Sequence, residues 1–308
     1  MSRTIRIATR SSPMALQQAE RTATALEKLD PTVGTELIRV TTVGDRWMGD
    51  LAKLGGKGAF TKEVDRVLLN DEADLAVHCL KDIPGDVPAP QGLVSAGYLP
   101  REDIHDAVIS GSGHHLAELP DGSVVGTSSV RRTAQLLLHY PHLRITSLRG
   151  NVNSRLQHLK EGHIDALIVA VSGLRRINEA ERITEVLSLE TMCPPIGAGI
   201  IVLQCRVDDA HLLELGAQIN DTETSWQALA ERTMLKTLQG RCNSPIAGYA
   251  TLGAPGRLSL RGKVFSSDGI RWLTSYQRGA TDDPEALGRC VASHLLHQGA
   301  RLLLNAVN

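Results

Sequence analysis

Aromatic side chains make up only 3% of this 308-residue chain. Single-stranded nucleic acids are gripped by stacking their bases on aromatic platforms set among cations, so this scarcity argues against such a partner. Positive charge is not in excess either: 33 Lys and Arg stand against 34 Asp and Glu, for a formal net charge of -1. A long phosphate backbone selects for a basic surface, and no nucleic acid is expected as a partner. No apolar run approaches a membrane span, so no membrane is expected. The stretch Met1-Ser2-Arg3-Thr4-Ile5-Arg6-Ile7 opens into strand-like alternation without a secretory apolar segment or cleavage site, which predicts a cytoplasmic protein. Cysteines are few and odd in number, at five (Cys79, Cys193, Cys205, Cys242 and Cys290), with no C-x-x-C pair or metal-like spacing. Reduced thiols and no bound metal are the expectation.

What the chain does have is arginine in one repeated setting. Arg10, Arg131, Arg132, Arg149, Arg155, Arg175 and Arg176 lie at or beside turns that read as strand-to-helix junctions. Guanidinium forks match carboxylate and phosphate groups bidentately, and the free N–H groups of a helix start add to the field. Any one of these residues alone reads as a solvated surface arginine. Their repetition in a near-neutral protein points to a compact polyanion as ligand.

Length predicts roughly two or three domains at about 100–200 residues each. Strand and helix signals alternate from the start: a strand over 3–9, a helix opened by Pro13 with Leu16, Ala19, Ala23 and Leu26 on one face, a strand over 36–43 and a helix over 60–69. A similar unit comes next, with Gly126-Thr127-Ser128-Ser129 capping a helix, a strand over 143–147, a helix over 152–160 and a buried strand after Asp165. Asp74-Leu75-Ala76-Val77 echoes Asp165-Ala166-Leu167-Ile168, which fits two similar α/β domains with parallel sheets. Proline-containing joins lie at Tyr98-Leu99-Pro100-Arg101 and at 193–199, and a strand over 200–203 is placed to return to the first sheet. From about residue 222 the order becomes helix, three strands and helix, a small α+β domain.

Two glycine-rich stretches are rejected as phosphate loops. Gly55-Gly56-Lys57-Gly58 lacks both the leading glycine and the hydroxyl residue of a Walker loop, and Gly197-Ala198-Gly199 has Val202 where a dinucleotide fingerprint needs a third small residue. Lys53 and Lys57 remain as anion contacts. Val77-His78-Cys79-Leu80-Lys81-Asp82-Ile83-Pro84 places a lysine and an aspartate past the carboxyl end of a strand, where open α/β sheets gather ligand groups. Against this stands the plain reading of a turn-forming aspartate near a proline. Cys242, in Gly240-Arg241-Cys242-Asn243-Ser244-Pro245-Ile246, has the flanks of an exposed, ionisable thiol suited to covalent attachment, although an isolated cysteine is more often inert packing.

Taken in order, Ile7-Ala8-Thr9-Arg10-Ser11-Ser12-Pro13, Lys53-Leu54-Gly55-Gly56-Lys57-Gly58, the 78–84 run, Gly126-Thr127-Ser128-Ser129-Val130-Arg131-Arg132, Ser147-Leu148-Arg149-Gly150-Asn151-Val152 and Cys242-Asn243-Ser244-Pro245-Ile246 resemble the porphobilinogen deaminase (hydroxymethylbilane synthase) family over nearly the whole chain. The resemblance implies two periplasmic-binding-protein-like α/β domains forming a cleft, plus a small C-terminal α+β domain. The bounds it suggests are 1–97 with 199–217, 103–193 and 220–308. It implies a transferase that deaminates and polymerises four porphobilinogens into linear hydroxymethylbilane on a dipyrromethane cofactor, in tetrapyrrole biosynthesis, working as a monomer.

The resemblance assigns thioether attachment of the dipyrromethane to Cys242 and catalysis to Asp82, whose carboxylate would stabilise pyrrole N–H groups and shuttle protons. Lys81, Asp82, Ser129, Arg131, Arg132, Arg149 and Arg155 would hold the cofactor. Arg10, Ser12, Arg149, Arg155 and Arg176, with Lys53 and Lys57, would serve porphobilinogen and the growing chain. Each added pyrrole brings two carboxylates, and unpaired buried carboxylates cost several kcal/mol apiece, which is why such a cleft needs cations. Arg175 reads as a surface residue. The family commonly has serine, glutamine and glycine where this chain has Cys79, Ala198 and Arg241, so the alternative is a catalytically weakened paralogue that binds a pyrrole or another polycarboxylate.

Overall fold

The computed structural model describes residues 3–47, 58–241 and 243–305. Its first strand, β1 (Thr4–Arg10), buries Ile5, Ile7 and Ala8. Helix α1 (Pro13–Leu29) begins where Pro13 presets the backbone and the Ser12 side chain accepts the Ala15 N–H, and it buries Ala19, Thr22 and Leu26 on one face. Then come β2 (Gly34–Val40), α2 (Val43–Arg46), α3 (Lys62–Leu69), β3 (Leu75–Cys79) and β4 (Leu93–Tyr98). The chain crosses to β5 (Asp106–Ser110), β6 (Val124–Gly126), α4 (Val130–His139), β7 (Arg144–Thr146), α5 (Val152–Lys160), β8 (Ala166–Ala170), α6 (Val171–Arg176) and β9 (Glu185–Val186). It returns through β10 (Ile201–Arg206) and α7 (Ala210–Ile219). The last unit comprises α8 (Thr222–Thr237), β11 (Ile246–Leu252), β12 (Arg257–Phe265), β13 (Trp272–Ala280), α9 (Pro284–His297) and α10 (Ala300–Asn305).

Two five-stranded sheets run β2-β1-β3-β10-β4 and β7-β6-β8-β5-β9, beside a three-stranded meander β11-β12-β13. The molecule is thus two α/β units plus a small α+β unit. The expectation of parallel sheets needs correction. β1 pairs in parallel with β2 and β3, and β6 with β7 and β8, but β10 and β5 run antiparallel to both of their neighbours. Each of these strands is next to a crossing between the units, so it enters its sheet from the opposite end.

The echo between the halves has a structural basis. Asp74 accepts the Arg6 N–H at 2.8 Å while its own N–H donates to the Arg6 carbonyl. Asp165 does the same with Val124, its carboxylate accepting at 2.6 Å. In each half an aspartate just before the central strand fixes that strand's register on its parallel neighbour.

The two crossings lie side by side. The Glu102 N–H donates to the Gly199 carbonyl at 2.9 Å, and Arg101 Nε donates to the Ala198 carbonyl at 2.9 Å. Gly199 adopts φ 71°, and a Cβ there would come within 2.4 Å of the Glu102 carbonyl oxygen, so a side chain would force the crossings apart. The third unit is tied to them through the fully buried Glu231, which accepts from Arg101 at 2.7 Å and from the N–H groups of Gly197 and Ala250.

Candidate active site

β1 and β3 are parallel neighbours, so the residues just past their carboxyl ends come together. Arg10 ends β1, and Asp82 closes the single 3₁₀ turn Leu80–Asp82 after β3. Arg10 donates to Asp82 Oδ2 at 3.2 Å, grips Asp45 with its remaining N–H groups, and lies 4.4 Å from the centre of the Phe60 ring. Asp45 is held in turn by a reciprocal cap with Thr42 at the start of α2. Burial opposes the charge of Arg10, but the Asp45 hydrogen bonds and the charges of Asp82 and Asp45 outweigh it and hold its pKa above the ordinary value. Arg10 therefore stays charged and fixes one oxygen of a half-buried carboxylate. Next to it on β3, burial pushes the His78 imidazole down to about 4, so this side chain is neutral near pH 7.

The second half presents cations at the equivalent strand ends. Ser129 caps α4 by accepting the Arg132 N–H, which sets the two following arginines at a helix start. Both reach one carboxylate. Arg131 donates to Asp106 at 2.7 Å and to the Cys193 carbonyl, while Arg132 makes a bidentate pair with Asp106 at 2.9 and 2.7 Å. Burial opposes ionisation of Asp106, but the two guanidinium groups prevail and hold its pKa well below the usual carboxylate range. Arg131 is thus turned into the protein, at 4% exposure, whereas Arg132 also faces the space between the halves.

Arg155, one turn into α5, donates to the Gly150 carbonyl at 3.0 Å. It is largely buried and, among the described residues, has no carboxylate partner. Burial first, then the neighbouring charges of Arg132 and Arg149, lower its pKa to about 10. Arg149 reaches across to the first half, donating to the Trp47 carbonyl at 3.2 Å. Arg176 pairs with Glu102, which also contacts Arg21 of α1. Burial lowers the pKa of Arg176 against the opposing pull of Cys79 and of Asp82, so this arginine senses the carboxylate of the other half. Arg175 is exposed and pairs with Asp103 at 3.0 Å.

A small crevice open to solvent lies between the halves, with Cys79 and Lys81 on one side, Asp106 and Arg132 on the other and Ala198 and Gly199 at the crossing. Two of the three departures, Cys79 and Ala198, therefore line the same space as Lys81 and Arg132. The third, Arg241, lies at the neck of the third unit's loop, with Nε 3.5 Å from Asp86. Helix α8 of that unit docks on the turn just past Asp82: Arg232 donates to the carbonyls of Ile83 and Pro84, the former at 2.7 Å. Gly85 packs so closely that a Cβ would meet Leu235 at 2.3 Å. The residues flanking position 242 are thereby held beside the segment carrying Asp82.

Cys242, Lys53 and Lys57 lie outside the described residues. Burial pushes the Cys193 thiol up to about 12 and the Cys205 thiol up to about 11, so neither is suited to form a thiolate. Ser12 is committed to capping α1. Sequence reading missed Asp45, Phe60, Glu102 and Asp106, the groups that orient Arg10, Arg176 and Arg132. Only Asp106 carried a signal, as an aspartate leading the apolar run Ala107-Val108-Ile109, the pattern already visible at Asp74 and Asp165.

Residues 5–214 match the family described as "Porphobilinogen deaminase, dipyromethane cofactor binding domain", and residues 226–297 match "Porphobilinogen deaminase, C-terminal domain". The chain is 54% identical to "Porphobilinogen deaminase 2" of Streptomyces coelicolor, over 98% of this chain and 97% of that one. It is 43% identical to the "Porphobilinogen deaminase" of Gloeobacter violaceus, over 100% and 94%. Among solved structures it is similar to the methionine binding protein MetQ, at 16% identity and a TM-score of 0.44 over 70% of this chain and 89% of that one. The paired sheets, the acid–arginine cleft between them and the full-length matches lead to one conclusion: the chain belongs to the porphobilinogen deaminase family.

Proposed function

We propose that this chain is a working hydroxymethylbilane synthase, with domains at 1–97 plus 199–217, 103–193 and 220–308, and with Asp82 as its catalytic carboxylate. The family is a transferase family that condenses four porphobilinogens on a dipyrromethane cofactor. The observation that carries the proposal is Arg155, a largely buried cation beside Arg132 and Arg149 with no carboxylate of its own among the described residues. A buried charge left unpaired is costly, so this arrangement calls for an anionic ligand with several carboxylates.

When bound, the dipyrromethane supplies a tethered pair of pyrroles to which further rings are joined. Lys81, Ser129 and Arg132 are the groups to hold its carboxylates, with Arg131 and Asp106 fixing the plane of the Arg132 fork. Arg149 and Arg155 extend the same cationic wall to the growing chain, and Arg10, Ser12 and Arg176 serve the incoming porphobilinogen, with Lys53 and Lys57 as further anion contacts. Asp82, held at one oxygen by Arg10, keeps its other oxygen for a pyrrole N–H and can take or return a proton there. Attachment belongs to Cys242, a reading supported by the contact of neighbouring Arg241 with Asp86, four residues past Asp82, and by the high thiol pKa of Cys193 and Cys205. The reading includes a cytoplasmic monomer; the balanced charge argues against a nucleic-acid partner, and no helix among the described residues is long and apolar enough to cross a membrane.

Intact-mass spectrometry of the purified protein tests the proposal. The expected mass exceeds that of the chain by two pyrrole units, and Cys242→Ser loses the increment together with turnover of porphobilinogen. An unmodified protein that binds pyrrole carboxylates without condensing them would replace this reading with that of a binding paralogue.

A further inference from the structure

Among the described residues, one group of metal-ligating side chains stands apart from the cleft. His158, Glu161 and His163 each offer a ligand atom, all within 4.8 Å of one another. They gather at the carboxyl end of α5, the helix whose other end carries Asn151 and Arg155.

The backbone there is a Schellman ending. The Gly162 N–H donates to the Leu159 carbonyl at 3.1 Å, and the His163 N–H donates to the His158 carbonyl at 3.0 Å. Gly162 supplies the left-handed residue that this ending requires, at φ 73°. In such an ending the residue after the glycine packs on the residue five positions earlier, commonly through an apolar pair. Here both positions are imidazoles. Their Nδ1 atoms lie 3.1 Å apart, with ring centroids 5.3 Å apart. Glu161 brings Oε2 to 3.4 Å from His163 Nδ1, and its Oε1 accepts from Gln157 Nε2 at 2.7 Å, which orients the carboxylate.

These distances suit a metal. Tetrahedral zinc bound at about 2.0–2.1 Å separates its nitrogen and oxygen ligands by roughly 3.3 Å. The two separations lie on either side of that value, and the Schellman backbone brings positions 158 and 163 together. Exposed carbonyls at a helix's carboxyl end also favour a cation. Facing Nδ1 atoms can share one proton in a hydrogen bond. With a metal between them both lone pairs are used, and the proton moves to an outward Nε2.

We propose that His158, Glu161 and His163 form a surface site for a divalent transition ion of the zinc class, with two imidazole nitrogens and one carboxylate oxygen as protein ligands and water completing the shell. Imidazole and carboxylate together suit zinc, whereas calcium and magnesium prefer all-oxygen sites.

The test is calorimetric titration of Zn²⁺ alone into the cofactor-bearing protein, in a Cys290→Ser background because Cys290 is an exposed thiol. One zinc should bind, and His158→Gln or His163→Gln should each weaken it at least about tenfold. Turnover and metal-free thermal unfolding should be unchanged in both variants. Gly162→Ala, where a Cβ meets nothing within 4 Å and only the backbone is strained, should weaken zinc binding with the histidines intact. Equal zinc affinity in the parent and in the His158→Gln/His163→Gln double variant overturns the proposal, as does the absence of zinc binding in the parent.

Discussion

In the first half of the molecule the strand ends present acid: Asp82 past β3 and Asp45 below it, both gripped by Arg10. In the second half the strand ends present base: Arg132 after β6, Arg149 and Arg155 after β7, and Arg176 after β8. The halves share a strand order and even the aspartate that pins each central strand, so the scaffold does not cause this difference. It lies in how each half balances its charges. Arg10 is neutralised within its own half, whereas Arg131 and Arg132 share the single carboxylate of Asp106, which offsets one of their two charges. Arg155 has no carboxylate partner among the described residues. Under the proposed function, such a cleft would hold a polyanion against the cationic wall and present its ring nitrogens to Asp82.

The division of labour can be broken at its acidic side with the largest effect. Asp82→Asn keeps the shape and removes the charge, and turnover of porphobilinogen should fall on the order of 10²–10⁴-fold, the usual range for a lost acid–base group. Intact mass should show the cofactor still attached. Near-normal turnover would move the chemistry to another group.

Asp106→Asn should strike stability instead, by about 3–5 kcal/mol in urea unfolding, because it leaves buried Arg131 without its counter-charge. The sign with pH comes from the depressed native pKa of Asp106. The unfolded chain takes the proton first, so the contribution is complete above the ordinary aspartate value of about 3.9 and is lost as pH falls below it. The variant should lose that acid-side dependence, and an unaltered acid limb would show that the pair is worth little.

Arg155→Met should have the opposite signature. Losing hydrogen bonds to charged groups costs about 1.5–3 kcal/mol of ligand binding, read as a roughly 10–100-fold rise in KM or as early release of short chains. Cofactor-free protein should unfold at the same urea concentration or a higher one, since an uncompensated charge has been removed. Marked destabilisation would mean that Arg155 is structural.

The smallest effect belongs to Arg241→Gly. Its contact with Asp86 is half in water, and such pairs contribute about 0–1 kcal/mol. Unfolding should shift within that range, and a larger loss would make Arg241 a genuine clasp between the third unit and the first.

Local signals in the sequence placed much of this molecule. Ser12-Pro13 starts α1, Ser129 caps α4, and the last unit sets three strands between helices in the order that the sequence predicts. β4 and β5 were not legible, because they flank a crossing and gain their partners only from β10, β8 and β9, more than fifty residues further on. The same limit applied to the site. Composition and motif order were enough to gather the arginines and name the family, and the proposal for Asp82 rests on the same motifs. Which guanidinium groups are already spent was decided by Asp45, Glu102 and Asp106, which lie 35, 74 and 25 residues from Arg10, Arg176 and Arg131. A sequence records each charge, but its balance depends on what lies within a few ångströms, and only the packed sheets and their crossings set that.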